Sequence, residues 1–134
     1  MLFLLALANY VYKVCGLSNA ARKTGPEKHP MIIEMRTYTL QPGTLAEYIK
    51  LYEDKGLAVH REILGNLLGY FKTEIGDINQ VVHLWGYASF EDRAQRRAKL
   101  AENAQWQGFL KAAQPYFVTQ KNQLLTGTNF SPIR

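Results

Sequence analysis

The stretch MIIEMRTYTLQPG, residues 31–43, decides the fold. Apolar and polar side chains alternate along its first part, which is the pattern of a strand with one face turned inward. The Pro42-Gly43 pair that follows is a turn signal and ends the alternation. We therefore predict the first strand of a domain that begins at Met31.

A helix follows this turn. Thr44 and Glu47 have the spacing of a capping box, and apolar residues then recur at helical intervals as far as Leu64. The Gly-Asn pair at 65–66 is a helix-ending signal. The pattern predicts a first helix over residues 44–64.

Three more strands and a second helix complete the predicted domain. Ser89 has the character of a helix N-cap, and Pro115 ends the helical pattern. The predicted elements are strands at 67–75, 80–90 and 116–128 and a long helix at 93–114. The order β-α-β-β-α-β is that of an α+β, ferredoxin-like fold, with both helices on one face of an antiparallel sheet.

Alternation within the strands also suggests which face of the sheet the helices cover. The small or apolar residues of strands one and three suit packing under helices: Ile33, Met35, Val82, Leu84, Gly86 and Ala88. The opposite face then carries the candidate site residues: Glu34, Arg36, Tyr38, His83, Trp85 and Tyr87. Because this face is too aromatic for water and too polar for a closed core, it suits a second sheet or a ligand.

These candidates allow more than one chemical role. His83 could act as a general base or bind a metal or haem, or could be a hydrogen-bonded structural histidine. Glu34 and Arg36 could hold an acidic substrate group or activate a proton, or form an ion pair. The aromatic candidates could stack on a planar substrate or fill a dimer core: Tyr38, Trp85 and Tyr87.

Other titratable residues receive structural interpretations. We expect His60 at a helix surface or end. The charges of the second helix alternate in sign, which is typical of a solvated face: Arg93, Arg96, Arg97 and Lys99 with Glu91, Asp92 and Glu102.

Composition excludes several classes of protein. The net charge of +5 is concentrated in residues 1–30, so the domain lacks the dense basic patch that nucleic-acid binding requires. The single cysteine, Cys15, permits no intramolecular disulfide, and no zinc-ligand spacing occurs. Nucleotide-binding glycine motifs and nucleophile elbows are also missing from the sequence. We predict a cytoplasmic protein with no metal and no cofactor.

Residues 1–30 are predicted to be an extension outside the domain, which occupies residues 31–134. The opening run MLFLLALANYVY is shorter than the roughly twenty residues of a membrane-spanning helix, and no basic residue precedes it as in a signal peptide. A membrane anchor, with membrane contact through residues 1–30, and a cleaved targeting peptide are the alternatives to this interpretation.

Three motifs carry a resemblance to the NIPSNAP family over residues 31–134. They are Arg36-x-Tyr38 followed by Leu40-x-Pro42-Gly43, AQWQGFLKAAQPYF at 104–117 and the ending NFSPIR. The resemblance implies a homodimeric α/β-barrel in which two ferredoxin-like sheets pack face to face. The wider superfamily is similar to cofactor-free monooxygenases, muconolactone isomerases and haem-dependent proteins.

The expected function is therefore binding of a small molecule in a dimer-barrel cavity, with cofactor-free oxygenase or isomerase chemistry by analogy. The alternative is a noncatalytic homodimeric module that engages a protein or membrane partner. A cavity with an ordered polar site would favour the first, and a space filled by side chains would favour the second.

Overall fold

One four-stranded antiparallel sheet organises residues 31–133, the part of the chain that the computed structural model describes. The strands are β1 (Ile32–Leu40), β2 (Asn66–Lys72), β3 (Gln80–Tyr87) and β4 (Phe117–Thr126). The helices are α1 (Leu45–Leu51), α2 (Leu57–Leu64), α3 (Phe90–Glu102) and α4 (Ala104–Ala113). A π-helical turn, Tyr52–Gly56, joins α1 to α2, and a 3₁₀ turn, Gln114–Tyr116, precedes β4.

The order of the strands across the sheet is β2-β3-β1-β4. The alternating strand predicted from residues 31–40 is central, and it pairs antiparallel with β3 on one side and β4 on the other. This order confirms the predicted α+β, ferredoxin-like arrangement of β-α-β-β-α-β elements.

The helices cover the face that the sequence analysis left open, so that assignment of faces was wrong. We call this covered face the inner face. Tyr38 and Val81 pack with Tyr48, Tyr52 and Phe109 from the helical layer. A second cluster joins Trp85 and Tyr87 of β3 to apolar residues of α2 and α3: Val59, Ile63, Leu64 and Leu100. Alternation shows which side chains share a face, but the large rings on both layers decide which face is covered.

The other face, the outer face, carries the residues that we had placed under the helices. In the register of β1 with β3, Ile33 lies opposite Gly86, and Met35 opposite Leu84. The edge strand β4 is exposed at every position from 118 to 126. Within the described chain, helices leave the outer face and the edge strand β4 uncovered.

The first helix is less regular than predicted. The capping box does not form, because the Thr44 hydroxyl instead donates to the carbonyl of Gln41 at 2.7 Å and makes no cap hydrogen bond to the helix. The π-helical turn then interrupts the continuous helix expected over 44–64. Gly65 ends α2 as predicted, in a left-handed conformation (φ 81°) that glycine adopts without a steric penalty.

The second helix is two helices. Ser89 caps α3 as predicted, accepting from the Asp92 backbone N–H at 3.1 Å. The helix breaks at Asn103, whose extended backbone turns the chain and whose side chain accepts from the Trp106 N–H at 2.9 Å. Asn103 therefore caps α4, because Asn favours helix N-caps over helix interiors.

The interpretations of residues 1–30 lie outside the described part of the chain. Between residues 31 and 133, no helix combines the length and the hydropathy needed to cross a bilayer.

Candidate functional site

A cavity of about 200 Å³ lies between the helices and the inner face of the sheet. Nine of its thirteen lining residues carry rings: Tyr38, Tyr48, Tyr52, His60, Tyr70, His83, Trp106, Phe109 and Phe117. The remaining four are Arg36, Arg97, Leu110 and Gln120. The wall thus combines flat apolar surfaces with two cations, and the described part of the chain adds no carboxylate to it.

All six candidate residues from the sequence share the inner face, but only three of them line the cavity. Arg36, Tyr38 and His83 contribute to its wall. The other three lie behind that wall as supports: Glu34, Trp85 and Tyr87. Because the helices cover this face, the cavity lies within one chain, and the predicted position between two sheets is wrong.

Glu34 is the buried centre of a charged cluster. One carboxylate oxygen accepts hydrogen bonds from Arg36 at 2.9 Å, Arg93 at 2.8 Å and Asn122 at 2.8 Å. The other oxygen accepts from the Tyr87 hydroxyl at 3.0 Å and lies 3.9 Å from the Arg97 guanidinium. Both oxygens are fully engaged, so Glu34 has a structural role as an anchor for arginines.

The charges of this cluster explain why Glu34 stays ionised although it is fully buried. Burial by itself would raise its pKa, but the hydrogen bond from Arg93 and the charges of Arg97 and Arg36 outweigh that effect. Together they lower the pKa of Glu34 to about 2.

Two arginines place positive charge in the wall of the cavity. Arg36 donates through Nε to the Tyr38 hydroxyl at 2.6 Å, and its guanidinium carbon lies 5.4 Å from the centre of the Tyr38 ring. Burial, followed by the nearby charge of Arg36, lowers the pKa of Arg97. Three guanidinium groups surround the one carboxylate of Glu34, so the cluster keeps a positive excess.

The hydrogen bonding of His83 fixes its tautomer. The Trp85 indole Nε1–H donates to His83 Nδ1 at 2.7 Å. Since indole nitrogen is only a donor, Nδ1 must be the acceptor, and the proton of the neutral ring lies on Nε2. His83 Nε2 is buried and has no partner among the described residues. His83 is therefore an N–H donor beside the cavity, which does not fit the roles of general base or metal ligand.

His60 of α2 lies 6.1 Å from His83, measured between ring centroids, and is fully buried, so its predicted surface position is wrong. Its Nδ1 is 2.9 Å from the Tyr52 hydroxyl, and its Nε2 has no partner in residues 31–133. The His60 ring lies 4.3 Å from the rings of both Trp85 and Trp106, measured between centroids.

The π-helical turn brings Tyr52 and His60 together. In a regular α-helix, residues eight apart are rotated by about 80° around the axis, because each residue turns the helix by about 100°. The extra residue absorbed in the π-helical turn reduces this angle to about 20° and aligns the two side chains. Gly56 in the same turn leaves room for Phe109, since a Cβ there would lie 3.1 Å from that ring.

Both buried histidines are neutral at physiological pH. Burial, reinforced by the positive charges of Arg36 and Arg97, lowers the pKa of His83 to about 3. Burial, together with His83 and Arg97, lowers the pKa of His60 to about 2. The two rings therefore offer hydrogen bonds to a ligand without carrying charge of their own.

Three tyrosines form another part of the cavity wall: Tyr48, Tyr52 and Tyr70. Tyr70 stacks on Tyr52 at 4.7 Å and on His83 at 4.8 Å, measured between ring centroids. Its hydroxyl is 3.3 Å from that of Tyr48. Burial raises the pKa of all three tyrosines, so their hydroxyls stay protonated and the rings present flat, neutral surfaces.

An open groove adjoins the cavity between α4 and β4. It shares Leu110, Phe117 and Gln120 with the cavity wall and adds Lys111. The groove and the cavity therefore share part of one wall, and Lys111 adds a cation to the groove.

The sequence analysis missed several of these residues. His60 lies three and four residues before the buried Ile63 and Leu64, a spacing that already placed it on the apolar face of the helix. Arg93 and Arg97 are four apart and both turn toward Glu34, so they do not belong to the solvated face predicted for that helix. Among the described residues, no group of three potential ligands from His, Cys, Asp or Glu could hold a metal ion.

Comparison with known proteins gives close matches to one family. The NIPSNAP family model matches residues 33–132. A NIPSNAP family protein from Agrobacterium tumefaciens is 48% identical with a TM-score of 0.77, and the alignment covers 79% of this chain and 93% of that one. Human NipSnap homolog 3A is 34% identical over 113 residues, which are 81% of this chain and 44% of the human protein. The chain spans less than half the length of the curated relatives it matches.

A more distant likeness concerns the fold alone. A candidate antibiotic biosynthesis monooxygenase from Nitrosomonas europaea superposes with a TM-score of 0.57 at 11% identity, over 78% of this chain and 94% of that one. The same ferredoxin-like scaffold therefore occurs in proteins with very different sequences.

Proposed function

The chain belongs to the NIPSNAP family, and from that premise we propose that it binds a compact, planar organic molecule in the cavity between its helices and its sheet. The observation that carries this proposal is a ring-lined space with two cations in its wall, beside which the buried Nε2 atoms of His60 and His83 have no hydrogen-bond partner among residues 31–133. Buried polar atoms without partners are rare in native proteins, and a ligand would satisfy them. A space of this kind supports binding over the noncatalytic interaction module.

The volume of the cavity limits the size of the ligand. An apolar cavity of about 150 Å³ accommodates one benzene molecule. About 200 Å³ therefore fits a single ring with one or two small substituents. Aromatic side chains around the space would contact both faces of such a ring: Tyr38, Tyr52, Tyr70, Trp106 and Phe109.

The polar groups of the cavity suit chemistry through an oxyanion. Fixed donors that point at developing negative charge are a major source of catalysis in water-excluded sites. Here the His83 N–H, Arg36 and Arg97 would stabilise an enolate or phenolate. Cofactor-free oxygenation and isomerisation both pass through such electron-rich species, and this connects the site to the reaction classes of the wider superfamily.

We also propose a homodimer built on the outer face and on β4. The outer face carries half-buried apolar residues such as Met35 and Leu84, and the long edge strand β4 is exposed along its length. Exposed sheet edges of this length are usually covered in native proteins. Light scattering is expected to give twice the chain mass at micromolar concentration, and a stable monomer would contradict the dimer without affecting the cavity.

The test of the binding proposal is a titration of the full chain, followed by ¹H–¹⁵N NMR. Single-ring compounds of matched shape are added: benzoate, benzamide, phenol and benzylamine. At least one is expected to shift the resonances of Trp106 and His83, because both side chains line the cavity.

Two tryptophan substitutions provide the matched control. Leu110→Trp fills the cavity and is expected to abolish these shifts. Ile75→Trp makes a similar enlargement at a site that is 92% exposed in the β2–β3 turn, and it is expected to leave them unchanged. The binding proposal fails if no compound shifts cavity resonances, or if both variants respond alike.

A further inference from the structure

We infer that the ligand is an organic oxyanion, a single-ring carboxylate or enolate, held by Arg36, Arg97 and the Nε2–H of His83. This inference rests on the proposed binding function and adds the charge and recognition chemistry of the ligand. It makes His83 a hydrogen-bond donor to the ligand and Trp85 the residue that positions it.

The first support is the balance of charge around the cavity. Arg36 and Arg97 line the space, and among residues 31–133 no acidic side chain does. The nearest carboxylate, Glu34, lies behind the wall and is shared among Arg36, Arg93 and Arg97. Partly buried guanidinium groups in excess of their counterions are costly, and an anion in the cavity would offset that cost.

The second support is the direction of the hydrogen bonds. Arginine has only donors, and the Trp85 bond leaves the free nitrogen of His83 as a donor too. Three groups that can only donate therefore meet at one space. The group that satisfies all of them is an oxygen with several lone pairs and a negative charge, and a ligand that itself needs acceptors would leave them unpaired.

The third support is the neighbouring groove. This groove between α4 and β4 carries Lys111 and shares Gln120 with the cavity wall. Among the residues that line it there is again no carboxylate. The groove and the cavity therefore carry charge of the same sign, which attracts anions to this part of the protein.

The experiment compares benzoate with benzamide, which has nearly the same shape and no charge, by NMR titration of the full chain at pH 7. Benzoate is expected to bind at least about tenfold more tightly, as charge-assisted hydrogen bonds are stronger than neutral ones. Arg97→Gln is expected to remove most of this preference, because it removes one of the two cations in the cavity wall.

Arg96→Gln is the matched control on the same helix. Arg96 bonds to Asp92 and to the Leu64 carbonyl and does not line the cavity, so its loss is expected to preserve the preference for benzoate. Equal affinity for benzoate and benzamide would overturn the inference and leave the binding proposal standing. Failure of every compound to bind would overturn both.

The role of Trp85 has its own spectroscopic test. In the wild-type protein, ¹⁵N shifts are expected to show His83 Nδ1 unprotonated and Nε2 protonated. Trp85→Phe removes the indole donor. In this variant, the proton of the neutral His83 ring is expected to occupy Nδ1 in part of the molecules and Nε2 in the rest. The affinity for benzoate is expected to fall more than the affinity for benzamide. A protonated Nδ1 in the wild type would contradict the donor role of His83.

Discussion

Two buried polar regions lie side by side on the inner face, and they differ in how completely their hydrogen bonds are satisfied. Glu34 accepts four hydrogen bonds, from Arg36, Arg93, Asn122 and Tyr87. Within residues 31–133, His60 and His83 each have one hydrogen-bond partner and one nitrogen without a partner. Both regions are removed from water to a similar degree.

This difference in hydrogen bonding suggests that the two regions have different roles, one structural and one in ligand binding. A satisfied buried network stabilises one arrangement of its elements, and here it joins α3 to β1, β3 and β4. A buried network with unpaired polar atoms costs stability in the absence of a ligand. Such a network marks a place where a ligand would supply the missing hydrogen bonds. The Glu34 cluster therefore holds these elements together, and the histidine pair belongs to the proposed binding site, which shares Arg36 and Arg97 with the cluster.

The largest expected effect is that of Glu34→Gln. Removing this carboxylate leaves three partly buried guanidinium groups without their counterion, so the variant is expected to lose about 3–5 kcal/mol of unfolding free energy. Urea denaturation followed by circular dichroism measures the loss. Asp54→Asn is the control, because it breaks an exposed ion pair with Lys50 and is expected to cost at most about 1 kcal/mol. Similar losses in the two variants would remove the anchor role of Glu34.

The second prediction separates the two regions by pH. The folded histidines have pKa values of about 2 and about 3, well below the ordinary value of about 6.5 in the unfolded chain. The unfolded state therefore binds more protons below pH 6.5, and stability that is complete above this pH is lost as the pH falls. Between pH 6 and 5 we expect a loss of about 2–3 kcal/mol for the pair.

Glu34 acts in a lower window, and this makes the comparison measurable. Its folded pKa of about 2 lies below the unfolded value of about 4.3, so its contribution is present above pH 4.3 and disappears toward pH 2. Urea denaturation at pH 6.5, 6 and 5 measures the unfolding free energy in the range where the histidines titrate. His60→Gln is expected to halve the slope of this free energy against pH. A slope that His60→Gln leaves unchanged would show that the histidines are not the acid-sensitive groups.

The smallest effect is expected for Tyr52→Phe. This change removes the only partner of His60 Nδ1 among the described residues and leaves both nitrogens of the ring unpaired, at a cost of about 1–2 kcal/mol. Tyr116→Phe is the matched control, since the Tyr116 hydroxyl makes no hydrogen bond within residues 31–133. Equal thermal stabilities of the two variants would mean that the Tyr52–His60 bond contributes nothing.

Local patterns predicted the elements better than they predicted the site. Alternation in residues 31–40 placed Glu34, Arg36 and Tyr38 on one face, and the Ser89 cap was recognised from its residue type. The break at Asn103 and the π-helical turn at Tyr52–Gly56 were missed, because Asn103 was counted as a position within the helix and the wide gap between the apolar Tyr52 and Leu57 was not recognised as a shift of helical phase.

The sequence by itself determined the order of strands and helices, the family and the set of side chains that share a sheet face, because these depend on neighbours along the chain. Only the tertiary structure decided which face the helices cover, since that depends on how the rings of two distant layers fill one volume. It also decided that Arg97 and His60 join Arg36 and His83 at one cavity. Those residues come from separate elements, and packing alone brings them together.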